Sequence, residues 1–217
     1  MQYIYLHGFA SSPNSTKAQQ IKSHLADLGI ELQIPDLNQG NFSHLTMTRQ
    51  IQQVSQLFNH DGVGITLIGS SLGGLTAAHL AQMYTQVKGL MLLAPAFGFL
   101  SHWLSKLGEE KIRDWQGKKY LPVYHYGEKR ELPLHIEFLE DAKFYSEEKL
   151  QRPVPTLIWH GINDEVIPVT ASREYGRSRP WVQLMEVTSD HSLVDVMPEI
   201  CGDIIRHINI LRNSDLS

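Results

Sequence analysis

Cysteine is nearly missing from this chain: Cys201 is the only one in 217 residues. A single thiol excludes an internal disulfide framework and fits a reducing compartment. Its place in an apolar helical pattern marks it as buried filler rather than a reactive group. Long hydrophobic runs are lacking too. The longest, Gly89 to Leu100, is too short to cross a bilayer and is interrupted by Pro95. Met1-Gln-Tyr-Ile-Tyr-Leu-His7 has no basic leader and no small-residue cleavage site, so no signal peptide is expected. There is no run of Lys or Arg, and the formal net charge is −4, so nothing electrostatic asks for nucleic acid. No H-E-x-x-H or Cys/His ligand spacing occurs, and no Lys follows Gly73-Gly74 to complete a phosphate loop. The expectation is a cytoplasmic protein with no metal, no cofactor, no membrane contact and no nucleic-acid partner; the oligomeric state is not legible.

What is present is ordinary for a globular chain: 42% hydrophobic and 19% charged residues. The length suits a single domain, large enough for a sheet covered on both faces. Short apolar runs alternate with amphipathic stretches. Tyr3–Leu6 reads as a strand, and Ala18, Ile21, Leu25 and Leu28 form a helical stripe behind Ser15 as N-cap, stopped by Gly29. Ile30–Ile34 alternates apolar and polar, as a strand near a sheet edge does. Met47, Ile51, Val54 and Phe58 mark a second helix. Ile65–Gly69, Val87–Ala94, Pro155–His160 and Val182–Val187 are further strands. Helices are expected after Gly69, near Val169–Gly176, and from Ser192 to about Leu211. Such alternation indicates a mostly parallel sheet with helices on both faces.

Residues 96–152 break this rhythm. They hold Phe97, Phe99, Trp103, Trp115, Tyr120, Tyr124 and Tyr126, a polar stretch around Glu109–Lys119, a small hairpin strand at Tyr120–Tyr126 and a helix within Leu134–Leu150. An insertion of this length is usually functional, and its aromatics argue for order. It reads as a cap-like insertion over the strand ends, with Phe97 and Trp103 as substrate-contact candidates; an extra structural lobe is the alternative.

The chemistry centres on Gly69-Ser70-Ser71-Leu72-Gly73, a G-x-S-x-G string between a buried strand and a helix. A strand turning this sharply into a helix holds its central residue in a strained backbone and presents the hydroxyl above the sheet. Glycines two positions either side are needed because a Cβ would collide across the turn. Serine is a poor nucleophile at neutral pH, so an imidazole must accept its proton and a carboxylate must orient that imidazole. Asp164, in His160-Gly-Ile-Asn-Asp-Glu-Val-Ile-Pro168, is the acid candidate, with Glu165 as fallback. His191, in the short loop after the last strand, is the base candidate, and His160 is its rival. The remaining histidines, among them His60, His79 and His207, read as surface or packing residues. The order Ser71, Asp164, His191 places each group on a loop after a parallel strand, where ligands of such sheets bind. Donors for a developing oxyanion are the N–H of Leu72 and, from the loop His7-Gly8-Phe9-Ala10, the N–H of Phe9 or, behind it, of Ala10. His7 reads as a brace for that loop.

With these motifs in place, the sequence resembles the α/β-hydrolases, and in particular the small YqiA-type esterases. Tyr5-Leu-His-Gly-Phe-Ala-Ser-Ser-Pro13, Gly69-Ser-Ser-Leu-Gly-Gly74 and the Asp164 and His191 loops carry the resemblance, which covers Gln2–Pro95 and Pro153–Ile210. It implies an eight-stranded fold shortened to about six strands in the order 2-1-3-4-5-6, without its first hairpin. It also implies cofactor-free hydrolysis of a carboxylic ester or thioester, a small-molecule substrate. A peptidase or acyltransferase on the same triad, or a binding module on a retired hydrolase fold, are the alternatives.

Overall fold

The structure, a computed structural model, describes residues 1–59 and 62–214. His60 therefore lies outside the described residues. Among the described residues five strands pair in parallel: β1 (Gln2–Leu6), β2 (Ile65–Ser70), β3 (Val87–Leu93), β6 (Thr156–Gly161) and β7 (Val182–Val187), in the order β1-β2-β3-β6-β7. Two further strands, β4 (Tyr120–His125) and β5 (Arg130–His135), form a separate antiparallel hairpin.

The period of two along each strand assigns side chains to two cores. Ile4, Leu6, Ile65, Leu67, Leu90, Leu92 and Ile158 face one side, and Tyr3, Tyr5, Ile68, Met91, Leu93, Leu157 and Trp159 the other. On the first face lie α2 (Met47–Ser55), α3 (Leu72–Met83) and α6 (Val169–Arg177). On the second lie α1 (Thr16–Ala26), through Ala18, Ile21 and Leu25, and α7 (Met197–Ser214), through Met197, Ile200, Ile204 and Ile208. Cys201 is buried in this second core, so its bulk, not its chemistry, meets the neighbours.

Two expected elements differ. Ile30–Ile34 is not a sixth strand: it makes one parallel bridge, Gln33 to Ile4. Tyr5 N–H donates to Gln33 O at 2.8 Å and Gln33 N–H to Tyr3 O at 3.0 Å. Pro35 then supplies no donor, which ends the ladder there. The bridge still sits beside β1, so the expected order holds with its edge member reduced to one contact. The last helix starts at Met197 rather than Ser192, because Leu193 is left-handed (φ 55°) and Val194–Val196 is a 3-10 turn. Pro198 occupies the first turn of α7, where its missing N–H costs no hydrogen bond.

Between β3 and β6 the chain builds α4 (Phe99–Lys118), the hairpin and α5 (Glu137–Ala142). The polar stretch is thus the second half of α4, which breaks at Gly108 (φ 77°, ψ 156°). Only Trp115 of that half is buried, with its indole N–H donating to Leu134 O at 2.9 Å. One buried residue per several turns explains why no helical stripe is visible there in the sequence.

Candidate active site

β2 ends at Ser70 and α3 begins at Leu72, leaving a single residue for the turn. Ser71 takes it with φ 53° and ψ −121°, a conformation that costs a non-glycine residue roughly 1–3 kcal/mol. The surroundings hold it there: Ser71 N–H donates to Leu93 O at 2.9 Å, while Ser71 O accepts from Gly74 N–H at 2.9 Å and Ala96 N–H at 3.0 Å. The flanking glycines answer crowding. A Cβ on Gly69 would lie 2.5 Å from Gly73 O, and one on Gly73 would lie 2.2 Å from Leu6 O.

His191 Nε2 lies 3.1 Å from Ser71 Oγ, and His191 Nδ1 lies 2.6 Å from Asp164 Oδ2. The carboxylate accepts only, so Nδ1 carries the proton and the Nε2 lone pair faces the Ser71 hydroxyl. The Asp164 side chain is wholly buried. Its Oδ1 accepts from the N–H groups of Val166 and Ile167, each at 2.8 Å. Burial alone would raise this carboxyl, but hydrogen bonds from His160 and His191 outweigh it and hold the group well below the usual carboxylate range. A Cβ on Gly161 would meet Ser189 O at 2.3 Å and Asp190 O at 2.5 Å, so glycine there is what lets the loops bearing Asp164 and His191 cross.

The rival base occupies a different place. His160 is fully buried behind the acid, with Nε2 3.2 Å from Asp164 Oδ2 and 3.0 Å from Ile167 O. Both of those atoms are acceptors, which assigns the proton to Nε2, and Ser172 Oγ then donates to Nδ1 at 2.7 Å. Sequence reasoning missed this second donor to the acid; the visible signal was a histidine ending a strand four residues before an aspartate. Glu165 is exposed, and its backbone carbonyl accepts from Lys106 Nζ of α4. Lys17, also missed, feels the charges of Asp164 and Asp190, while burial pushes its ammonium down to about 8.

Gly8 closes on the turn from the other side: a Cβ on it would lie 3.3 Å from the Ser71 Cβ. His7 fixes that loop, accepting Leu37 N–H on Nε2 at 3.0 Å with Nδ1 3.0 Å from Gly8 O. Phe9 places its ring among Phe42, Phe99, Trp103 and Phe138, with centroids 5.3–6.1 Å away. Trp103, half-buried, thus touches the Phe9 loop. Phe97 does not present a free ring: it is 1% exposed and stacked on Tyr175 at 3.9 Å, which makes it a packing residue. A cavity of about 260 Å³ opens beside Leu72, walled by Met47, Leu75, Phe99, Ala142 and Tyr145. Among the described residues no helix is long and apolar enough to cross a membrane.

Residues 2–206 match the model of a family described as "Uncharacterised protein family (UPF0227)". The chain belongs to that family. This UPF0227 chain is 26% identical over 198 residues to the Bacillus subtilis (strain 168) protein named "Putative esterase YitV", covering 79% of this chain and 71% of that one. Its fold is similar to that of alpha/beta hydrolase domain-containing protein 10 from mouse (TM-score 0.81, 22% identity, 97% of this chain and 90% of the other). It is also similar to Est1E from Butyrivibrio proteoclasticus with bound ferulic acid (TM-score 0.79, 20% identity, 96% and 89%). At such identities the likeness speaks for the fold alone: this is an α/β-hydrolase fold with a five-stranded parallel sheet and a small antiparallel hairpin.

Proposed function

We propose that this UPF0227 protein is a serine hydrolase that cleaves a carboxylic ester or thioester through an acyl-enzyme. The observation that carries the reading is the relay of Ser71 Oγ, His191 and Asp164 at 3.1 and 2.6 Å, with the serine on a one-residue turn between strand and helix. The name of the B. subtilis relative agrees with this class.

In the first step the Ser71 oxygen attacks the acyl carbon while its proton passes to His191 Nε2. The imidazolium is stabilised by the buried Asp164 carboxylate, whose low proton affinity keeps it ionised throughout. Negative charge gathers on the carbonyl oxygen, and the N–H groups of Leu72 and Phe9 receive it. His191 then protonates the departing alcohol or thiol. Water, deprotonated by the same nitrogen, attacks the acyl-serine and frees the acid and Ser71. Residues 96–152 act as a cap: their aromatics pack on Phe9 and, with Leu72 and Leu75, wall a cavity suited to a short apolar acyl chain.

A panel of acyl esters and thioesters of increasing length, run beside Ser71→Ala, tests the reading together with a fluorophosphonate probe. Turnover and labelling at Ser71, both lost in Ser71→Ala, are expected. A folded wild type that neither turns over nor labels overturns the proposal in favour of a binding role. Hydrolysis confined to peptide bonds, or transfer to an acceptor other than water, replaces the substrate class.

A further inference from the structure

A second cluster with chemistry of its own lies where the inserted segment meets the rest of the chain. His44 sits in the short 3-10 turn Phe42–His44, ahead of α2, whereas His135 ends β5 and Glu137 opens α5. Ninety-odd residues separate the halves, so no ligand spacing in the sequence announces them. In the fold, His44 Nδ1 lies 3.2 Å and His135 Nδ1 3.4 Å from the same oxygen, Glu137 Oε2. One donor atom from each residue lies within 4.8 Å of both others.

From these positions we infer a divalent-cation site of the two-histidine, one-carboxylate kind. A tetrahedral ion with arms of about 2.0–2.2 Å keeps neighbouring ligand atoms roughly 3.3–3.6 Å apart, close to the 3.2 and 3.4 Å that separate the His44 and His135 nitrogens from the carboxylate oxygen. The two imidazole rings stand 5.1 Å apart at 34°, held side by side by Tyr120, whose ring lies 5.0 Å from that of His135 and 6.2 Å from that of His44. Rings steadied this way lose little freedom on ligation. Imidazole nitrogen selects zinc, cobalt or nickel over magnesium or calcium, which take oxygen shells. Three protein ligands leave one position for water, and the solvent-facing His44 and Glu137 give it a path in and out. Without a metal His44 Nδ1 donates to the Glu137 carboxylate and His135 Nδ1 accepts the Glu137 N–H at 3.4 Å, and exposed contacts of this kind contribute little.

The site would join two parts of the chain. His44 stands two residues from Phe42, whose ring packs on Phe9, while His135 and Glu137 belong to the insert. A bound ion therefore ties the insert to the body next to the Phe9 loop, as a structural clamp rather than a participant in acyl transfer. Nothing in the assignment depends on the Ser71 reading.

The experiment uses full-length, tag-free, chelator-treated protein titrated with Co²⁺ and, separately, Zn²⁺. One Co²⁺ per chain is expected to bind with visible absorption of a four- or five-coordinate ion. Saturating Zn²⁺ should raise the melting temperature by several degrees, as ligand linkage requires. His44→Ala and His135→Ala, each checked for folding by circular dichroism, should weaken binding at least tenfold and abolish the thermal shift, and Glu137→Gln should weaken it similarly. Wild-type protein that takes up no stoichiometric Co²⁺ or Zn²⁺ overturns the inference. So does binding that survives in the His44→Ala/His135→Ala double variant.

Discussion

His160 and His191 approach the same oxygen of Asp164, at 3.2 and 2.6 Å, on a side chain with no exposure to solvent. The acid is thus fixed by two imidazoles, only one of which can reach Ser71. Replacing His160 by Leu removes a donor from the carboxylate, leaving more of its charge to His191. We expect kcat to fall ~10–100-fold, as when the partner that orients a reacting group is lost. His160→Gln, which keeps an N–H, should recover part of that loss. A lower kcat in His160→Leu that His160→Gln does not recover would make His160 a packing residue only.

Asp164→Asn should lower kcat by ~10⁴-fold by favouring the wrong tautomer of His191. Glu165→Gln should leave it nearly unchanged, since Glu165 is exposed and its backbone carbonyl, not its carboxylate, takes the contact from Lys106. Steady-state kinetics on the ester that the wild type turns over fastest decides between the two acids.

Acid sensitivity of the fold should come largely from His79. It is buried on α3 against the ring of Tyr145, its Nε2 has no hydrogen-bond partner among the described residues, and burial pushes its imidazole down to about 4. The unfolded chain binds a proton near pH 6.5, the native one only near 4. Between those values the unfolded state holds more protons, so stability is full above 6.5 and falls as the pH is lowered toward 4. The loss amounts to roughly 3 kcal/mol at the lower end. Urea unfolding from pH 7 to 4.5 should show that slope in the wild type and a flatter one in His79→Leu.

Gly73→Ala should be among the most damaging small substitutions. Its Cβ would fall 2.2 Å from Leu6 O and 2.6 Å from His7 O, backbone atoms with little room to retreat. We expect about 3 kcal/mol of destabilisation, typical of overpacking where backbone must shift. In protein that still folds, labelling at Ser71 should drop sharply, because the turn and the Gly8 loop are forced apart. Thermal melts and probe kinetics on the same sample test both.

The parallel sheet was legible because β2, β3 and β6 are buried almost throughout, with Lys88 the exception, and read as nearly continuous apolar runs. The relay was legible through placement: Ser71, Asp164 and His191 each follow a strand, and a parallel sheet gathers such loops at one edge. Ile30–Ile34 alternates as a strand would, but a pattern of side chains cannot report that Pro35 withholds the next donor. The second half of α4 was hidden because its helix rests on Trp115 alone. Phe97 drew notice as an aromatic in the insertion, yet aromatic character does not distinguish a ring stacked on Tyr175 from one that faces a ligand. His160 lies only four residues before Asp164, but the sequence does not report which way its ring turns, whereas the His44–Glu137 contact depends on long-range packing that no single segment encodes.

β7 is an edge strand of the sheet, and the loop that follows it delivers His191 to a serine 120 positions earlier. On the proposed mechanism, reactivity at Ser71 is expected only after β7 has docked, whatever structure the residues ahead of it have already gained. A covalent probe read during refolding would then count completed molecules, and a cut in the loop before β7 that let this edge peel away would silence the chain while leaving most of its sheet intact.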